Sequence, residues 1–500
     1  MGQRRRSLRT LRRRNSRIRT ALVVLSVVIA LLLAGSLIYY HFMSANNNDY
    51  STSKQLLPAA IKVINSKPSS SQGYVVEYSI QPDSSPNALA VDSSGNVWFS
   101  IGAYHALGEL NPSNGTVHEY QLPLSSNASI LTWGVAVDKS RNVVWFTDET
   151  SNSIWSFDMI SHTFAKFSLP QPLSLPYQIA VDSSGNAWFT EIGTGRLGEI
   201  TAQGALNEYD IPHTSSYNLS TNSTGPAGIA IDKDGTIWIA EAYANAIASF
   251  RDGEFHQYPI QGAESPTGIA IGEQGNIWIT QHGGSYVSEY NPSSNSLTTI
   301  STSIPAGVTS SLPYFIQVDS SGNVWFTEHY GNAIARYTPS NSSMVEFRVP
   351  SRVQSLGNIS GVLTLALSPL GQPWFTELYT GKIGTVNIAK PVGLDLNFLN
   401  FSGNAVDVPN GKEFSLKLSI SNTQNFSDLR SQVFLSSSVG GSSDALSFDF
   451  IPQSGSDNFT SILTISNMSN QTSSSRAFYW VTISASSSEL TANEIIQVET

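Results

Sequence analysis

Hydrophobic and polar positions alternate with a period of two along residues 75 to 389, in short runs broken by clusters of Gly, Asp, Asn and Ser. That pattern predicts half-buried strands joined by tight turns. One longer unit recurs within it, and its clearest copy is VDSSGNVWFTEHYGNAIARY, Val318 to Tyr337. Its tryptophan anchors the repeat: Trp98, Trp145, Trp188, Trp238, Trp278, Trp325 and Trp374 lie 40 to 50 residues apart. A period of that length in an all-β chain predicts a seven-bladed β-propeller.

Within a unit, an apolar strand such as Ile179 to Asp182 leads through a polar turn, in most units ending in Gly, into the Trp strand. A third strand follows, as in Leu197 to Ile200 or Ala333 to Tyr337, and a fourth ends near proline, as in VHEYQLP at 117–123 and LNEYDIP at 206–212. The turn aspartates Asp92, Asp138, Asp182, Asp232 and Asp319 admit two readings, a calcium ladder or hairpin chemistry. Hairpin chemistry is the simpler, because a carboxylate bonds turn amides and Gly takes positive φ whether or not anything binds. The last unit, Leu363 to Ile388, has three strands, whereas VVEYSIQP at 75–82 is a fourth strand with no unit before it. Pairing the two closes the ring and removes its open seam, a velcro closure.

The amino-terminal region follows a different pattern. Ala21 to Tyr40 is twenty residues without a charge, long enough at 1.5 Å per residue to cross a hydrocarbon core of about 30 Å. Nine arginines lie within residues 1 to 19 (Arg4 to Arg19), with no acid before Asp49. Residues 1–20 are therefore expected to be a basic cytoplasmic tail, 21–40 a transmembrane helix, and the remainder extracytoplasmic at the cell membrane. A cleaved signal peptide is the rival, but the apolar run is longer than a normal h-region and Tyr39, Tyr40 and His41 are bulky where small residues are expected. Residues 41–73 read as a polar stalk with a short helix about Leu56 to Ile64. Eleven N-x-S/T sequons, from Asn114 to Asn470, fall on the outer side and suit a glycoprotein.

Composition narrows the chemistry. With 500 residues, 40% hydrophobic and 13% charged, the chain can build more than one core. Zero cysteines exclude disulfides, thiol catalysis and cysteine-ligated zinc. Setting aside the nine arginines leaves 18 basic against 37 acidic residues, a balance of −19, which repels nucleic acid. The repeat, 74–390, stops at Lys390-Pro391, and 391–500 carries period-two runs such as FSLKLSIS (414–421) and FYWVTISAS (478–486). These predict an immunoglobulin-like β-sandwich whose work is adhesion, spacing or packing against cell-envelope proteins.

Strand direction places the residues after each Trp, together with the loops joining units, on one face. Three places after Trp stand Ile101, Asp148, Glu191, Glu241, Gln281, Glu328 and Glu377; one place further, His282 and His329 occupy neighbouring units. Glu191, Glu241, Glu328 and Glu377 are candidate ligands for a divalent cation such as Mg²⁺, and Glu328, His329 and His282 are candidate catalytic groups. The alternative is that W-F-T-E packs each blade, its acid bonded inside. Tyr177, Tyr314, Tyr330 and Tyr379 are candidates for stacking on a small molecule, a glycan or a protein ligand.

WFTEIGTGRLGEI (188–200), WFTEHYGNAIARY (325–337) and WFTELYTGKIGTV (374–386), with P-x-G-I-A starts and E-Y-x-x-P ends, resemble the virginiamycin B lyase (streptogramin lyase) family over about residues 75–389. The resemblance implies a seven-bladed propeller that opens a cyclic depsipeptide ester by elimination, with Mg²⁺ and a histidine base. It also implies that the working histidines lie directly after the proline that starts a blade's first strand, and the corresponding positions here hold Asn87, Trp133, Tyr177, Ala227, Thr267, Tyr314 and Leu363. The expected function is a membrane-anchored surface propeller that binds a ligand or partner on its top face; the alternative is a Mg²⁺-dependent lyase or another propeller enzyme such as a lactonase.

Overall fold

The computed structural model describes residues 56–69, 73–124, 130–212, 223–260, 262–304, 308–401, 403, 405–422, 432–439, 446–456, 458–468 and 478–500. Among these there is no α-helix, only strands and two single 3-10 turns, and no helix long and apolar enough to cross a membrane. The apolar stretch 21–40 and the arginine run lie outside the described residues.

The repeat folds as seven antiparallel four-stranded sheets, I to VII. Sheets I to VI occupy residues 89–121, 135–168, 176–210, 226–259, 266–301 and 313–348, each in simple sequential order. Sheet VII takes its first three strands from residues 362–386 and its fourth from Val75–Ser79, which pairs antiparallel with Lys382–Val386. The first strand of each sheet lies against that of the next, and the series returns from VII to I. The closure read from the truncated last unit is therefore present.

The repeated tryptophans fill the seams between sheets. Trp98 packs on Val144, Phe146 and Phe157 of sheet II, Trp188 on Ile237 and Phe250 of sheet IV, and Trp374 on Leu89 and Phe99 of sheet I. Each indole is at most 8% exposed. Burying so large a ring at every seam is a main source of cohesion between sheets that share no hydrogen-bonded ladder. The other end of the same side chain latches the turn. Trp98, Trp188, Trp238 and Trp325 donate Nε1–H to Oδ2 of Asp92, Asp182, Asp232 and Asp319 at 2.9 to 3.2 Å. The Oδ1 atoms accept the amides two and four residues on, as from Ser321 and Asn323 at 2.9 Å. These carboxylates are spent on turn and tryptophan, in line with hairpin chemistry. Sheet II departs from the rule, since Trp145 stands seven residues after Asp138, which instead pairs with Arg141 at 2.5 Å.

The segment before the repeat corrects one expectation. Leu56 to Ile64 is not helical: Leu57–Pro58 pairs with Phe164 and Thr163, and Ala60–Asn65 runs antiparallel to Thr116–Gln121. The β-branched Ile61, Val63 and Ile64 favour a strand, Pro58 disfavours a helix through it, and the outer strands of sheets I and II offer unpaired backbone groups. A stretch read as stalk thus adds a strand to two sheets.

The described strands between residues 394 and 499 form two further layers. One orders Leu394–Phe398, Glu413–Asn422, Phe459–Asn467 and Leu446–Ile451; the other contains Leu490–Glu499, Phe478–Ser486 and Val433–Val439. Leu416, Leu418, Leu463 and Ile465 of the first meet Val433, Leu435, Val481 and Ile483 of the second in one core. The second layer is continuous with the ring, because Leu490–Glu494 pairs antiparallel with Ser343–Phe347 of sheet VI. Of the sequons, Asn114, Asn341, Asn358, Asn400 and Asn458 are exposed. Asn467 is 2% exposed and donates Nδ2 to Val408 O at 2.8 Å, so it is closed to modification in this fold.

Candidate functional site

The W-F-T-E run divides into separate jobs once its register is known. The threonine hydroxyls face the adjoining sheet. Thr327 Oγ1 accepts Phe315 N within sheet VI at 3.0 Å and donates to Leu363 O of sheet VII at 2.7 Å. Thr190 and Thr280 make the same double contact with Ala227 O and Tyr314 O at 2.7 Å. The approach is close enough that a Cβ on Gly268 would lie 2.6 Å from Tyr314 O, which explains the glycine of P-x-G-I-A. Five first strands also carry a bulge at this point, for example between Pro313 and Ile316. An extra residue there re-aims its neighbours, and Tyr177 and Tyr314, each directly after such a proline, reach each other across the ring.

The acids three places after Trp point into their own sheets. Glu191, Glu241, Glu328 and Glu377 are each 0% exposed. Glu191 accepts Thr194 Oγ1 at 2.7 Å and lies against Glu208, whose carboxyl is pushed up to about 7 by burial and then by Glu191. Glu241 accepts Gln257 Nε2 at 3.0 and 3.1 Å and is pushed up to about 7 by burial. Glu377 accepts Thr380 Oγ1 at 2.8 Å and is raised to about 8 by burial and then by Glu77. Burial, reinforced by Glu346, raises Glu328 as well, against the pull of Arg348. Four sheets hold the four acids apart, and among the described residues no group of three His, Asp or Glu side chains is placed to hold a metal ion. These residues do not fit a shared Mg²⁺ site.

The mouth is built instead from the residue after each first-strand proline and from those four and five places after Trp. Tyr177 of sheet III and Tyr314 of sheet VI hydrogen-bond hydroxyl to hydroxyl across the ring. Tyr314 is edge-on to His282 at 5.1 Å, and His282 edge-on to His329 at 6.4 Å. Trp133 lies against Tyr177 at 5.2 Å and donates its indole N–H to Glu149 Oε2. Tyr243, Tyr330 and Tyr379 are 43%, 44% and 39% exposed, forming an aromatic rim. Burial depresses both imidazoles, His329 to about 4 with a further push from His282, so the pair is neutral at pH 7. The Val362 backbone lies beside the buried His329 ring as the Pro313 carbonyl does beside His282, at 3.3 Å from its Nδ1. The structure therefore brings together His282, His329, Tyr177, Tyr314, Tyr330 and Tyr379, and sends the glutamates elsewhere.

Known proteins agree with this architecture. A family model described as the virginiamycin B lyase family matches residues 68–217. Virginiamycin B lyase of Nocardia farcinica (strain IFM 10152) is 24% identical over 170 residues, 34% of this chain and 52% of that protein. The match thus spans about half the length of the curated relative. A streptogramin B lyase structure superposes with TM-score 0.54 at 26% identity, covering 63% of this chain and 97% of the other. Virginiamycin B lyase from Staphylococcus aureus gives TM-score 0.53 at 23% identity over 65% and 98%. The chain is a virginiamycin B lyase-like propeller.

Within this virginiamycin B lyase-like ring, Trp133 and Glu149 are the mouth residues that the sequence reading passed over as candidates. Their columns held the signal: Trp133 precedes Gly134 in the register of Tyr177, and Glu149 shares that of His282 and His329. A groove of about 510 Å³ opens elsewhere, at the Asp-turn end between sheets I and II, lined by Ile61, Trp98, His118, Tyr120 and Lys139. It lies at the opposite strand ends from the histidines and shares none of the mouth residues.

Proposed function

We propose that this protein is a membrane-anchored, extracytoplasmic ligand-binding propeller, with sheets I to VII as its seven blades and the two carboxy-terminal layers as an immunoglobulin-like module. The ligand sits on the aromatic mouth. The observation that carries this reading is a division of labour after the repeated Trp: Glu191, Glu241, Glu328 and Glu377 are buried in their blades, while His282, His329, Tyr330 and Tyr379 gather at the mouth. The apolar span 21–40 behind a cytoplasmic arginine run supports the anchor, and the exposed sequons support a glycosylated outer surface.

A catalytically inactive virginiamycin B lyase from Staphylococcus aureus has been solved with quinupristin, at 24% identity to this chain and TM-score 0.53, which makes quinupristin a suitable probe. Full-length protein in detergent, titrated with quinupristin in Mg²⁺-containing buffer, is expected to show a saturable change in tryptophan fluorescence while chromatography finds the ring intact. A second reading, ester elimination or a related propeller lactonase activity, draws on His329, a neutral imidazole at the mouth and a group of the right type for proton abstraction. Ring opening that disappears in His329→Ala would establish that reading and sink the binding-only one. Absence of any fluorescence change would sink the mouth as a site for such ligands.

A further inference from the structure

Among the described residues, Glu149 is a carboxylate set directly against the mouth aromatics Trp133, Tyr177 and Tyr243. Glu149 follows the buried Asp148, and its Oε2 accepts the Trp133 indole N–H. Among the described residues no Lys, Arg or His forms an ion pair with it. Tyr177, Tyr314 and Tyr243 all lie within reach of its charge. Burial and the neighbouring Asp148 push its carboxyl upward, and the Trp133 bond only partly offsets them.

We propose that the mouth binds an organic ammonium group, held between the carboxylate of Glu149 and the faces of Trp133, Tyr177 and Tyr243. The chemistry selects this class. A half-buried carboxylate bonded only to an indole is under-compensated, and either a proton or a cation relieves it. Ring faces carry the negative end of the aromatic quadrupole, so Trp and Tyr beside a carboxylate favour a soft, weakly hydrated cation over a hard metal ion. An anion finds no counter-charge, since both mouth histidines are neutral at pH 7. The balance of −19 outside the arginine run draws cations toward the ring. Tyr243, 43% exposed, leaves its wall open for a ligand to enter.

This inference rests on the mouth being a ligand site, and its test separates the two. Full-length protein is titrated with choline and with its neutral isostere 3,3-dimethylbutan-1-ol, by calorimetry and Trp fluorescence. Choline is expected to bind at least about tenfold more tightly than the isostere. Glu149→Gln, which keeps an acceptor for the Trp133 N–H, is expected to abolish that preference with a melting temperature no lower than the parent's, and Trp133→Phe to weaken choline binding severalfold. Equal affinity for both probes, or a preference that survives Glu149→Gln, overturns the ammonium assignment. Retained quinupristin binding with no choline binding overturns it while leaving the mouth intact as a site. Loss of both overturns the mouth reading as well.

Discussion

Sheets V and VI carry the two mouth histidines on equivalent strands, yet they fill the slot beneath those histidines in opposite ways. In sheet V the slot holds Gln281, whose Oε1 accepts Glu264 N at 2.8 Å and whose Nε2 donates to Ser288 Oγ at 2.5 Å; Ser288 in turn meets Thr299 at 3.1 Å. In sheet VI it holds Glu328, and neither of its oxygens has a hydrogen-bond partner among the described residues. Nearby Thr302 is already bonded to Ser285 O and Ser311. Glu346 and Arg348 complete that slot. Glu346 accepts Ser303 Oγ at 2.5 Å and Asn493 Nδ2 at 2.9 Å, while Arg348 donates to Thr491 at 2.9 Å. The constant feature is therefore burial, and charge is optional. Where the slot is charged it also clasps the carboxy-terminal strand, so in sheet VI the acid belongs to the docking of a neighbouring layer more than to the mouth.

The comparison breaks most visibly at Arg348. Arg348→Ala leaves Glu328 and Glu346 buried without their cation, and the expected loss is about 3 kcal/mol at pH 8. At pH 5 the loss is smaller, because both carboxyls are raised and then protonated. Urea unfolding at the two pH values measures it, and equal losses would refute the electrostatic account. Faster proteolysis of residues 391–500 is expected alongside. The reverse exchange comes next in size. Gln281→Glu removes the donor to Ser288 and buries a charge in a slot with no basic side chain bonded to it, costing about 2 kcal/mol at pH 8. An unchanged melting temperature at pH 8 would mean that sheet V tolerates charge as sheet VI does.

Much of the ring was legible because period-two runs, turn residues and Trp spacing all state the same local geometry. The truncated unit at 363–388 and the orphan strand at 75–82 even disclosed the closure. What sequence spacing could not state is direction. Glu328 and His329 are adjacent in the chain, but strand alternation sends one into the sheet and the other to the axis, and the bulge at Pro313 decides that Tyr314 meets Tyr177 from the far side of the ring. Residues 57–65 misled for a related reason, since a short apolar run has no fixed preference until an open sheet edge is placed beside it. The pairing of Leu490–Phe347 neighbours across 140 residues left no local trace, because a free outer strand looks the same in sequence whether solvent or another strand covers it.

The smallest expected effect distinguishes most finely between a packing acid and a catalytic one. Glu328→Gln preserves shape and removes the charge. Because the folded carboxyl is raised above its unfolded value, the native state holds a proton that the unfolded chain releases, and stability falls as pH climbs from about 4.5 toward the folded value. The two mouth histidines run the other way: both are lowered in the fold, His329 to about 4, so they add stability as pH rises toward about 6.5 and contribute no slope above that. The window above pH 6.5 therefore isolates the acids. In it, Glu328→Gln is expected to melt higher than the parent by an amount that grows as pH is raised from 6.5 to 8. Quinupristin binding should be unchanged, since the side chain does not reach the mouth. A variant that binds or reacts differently while melting identically at every pH would return Glu328 to the functional site.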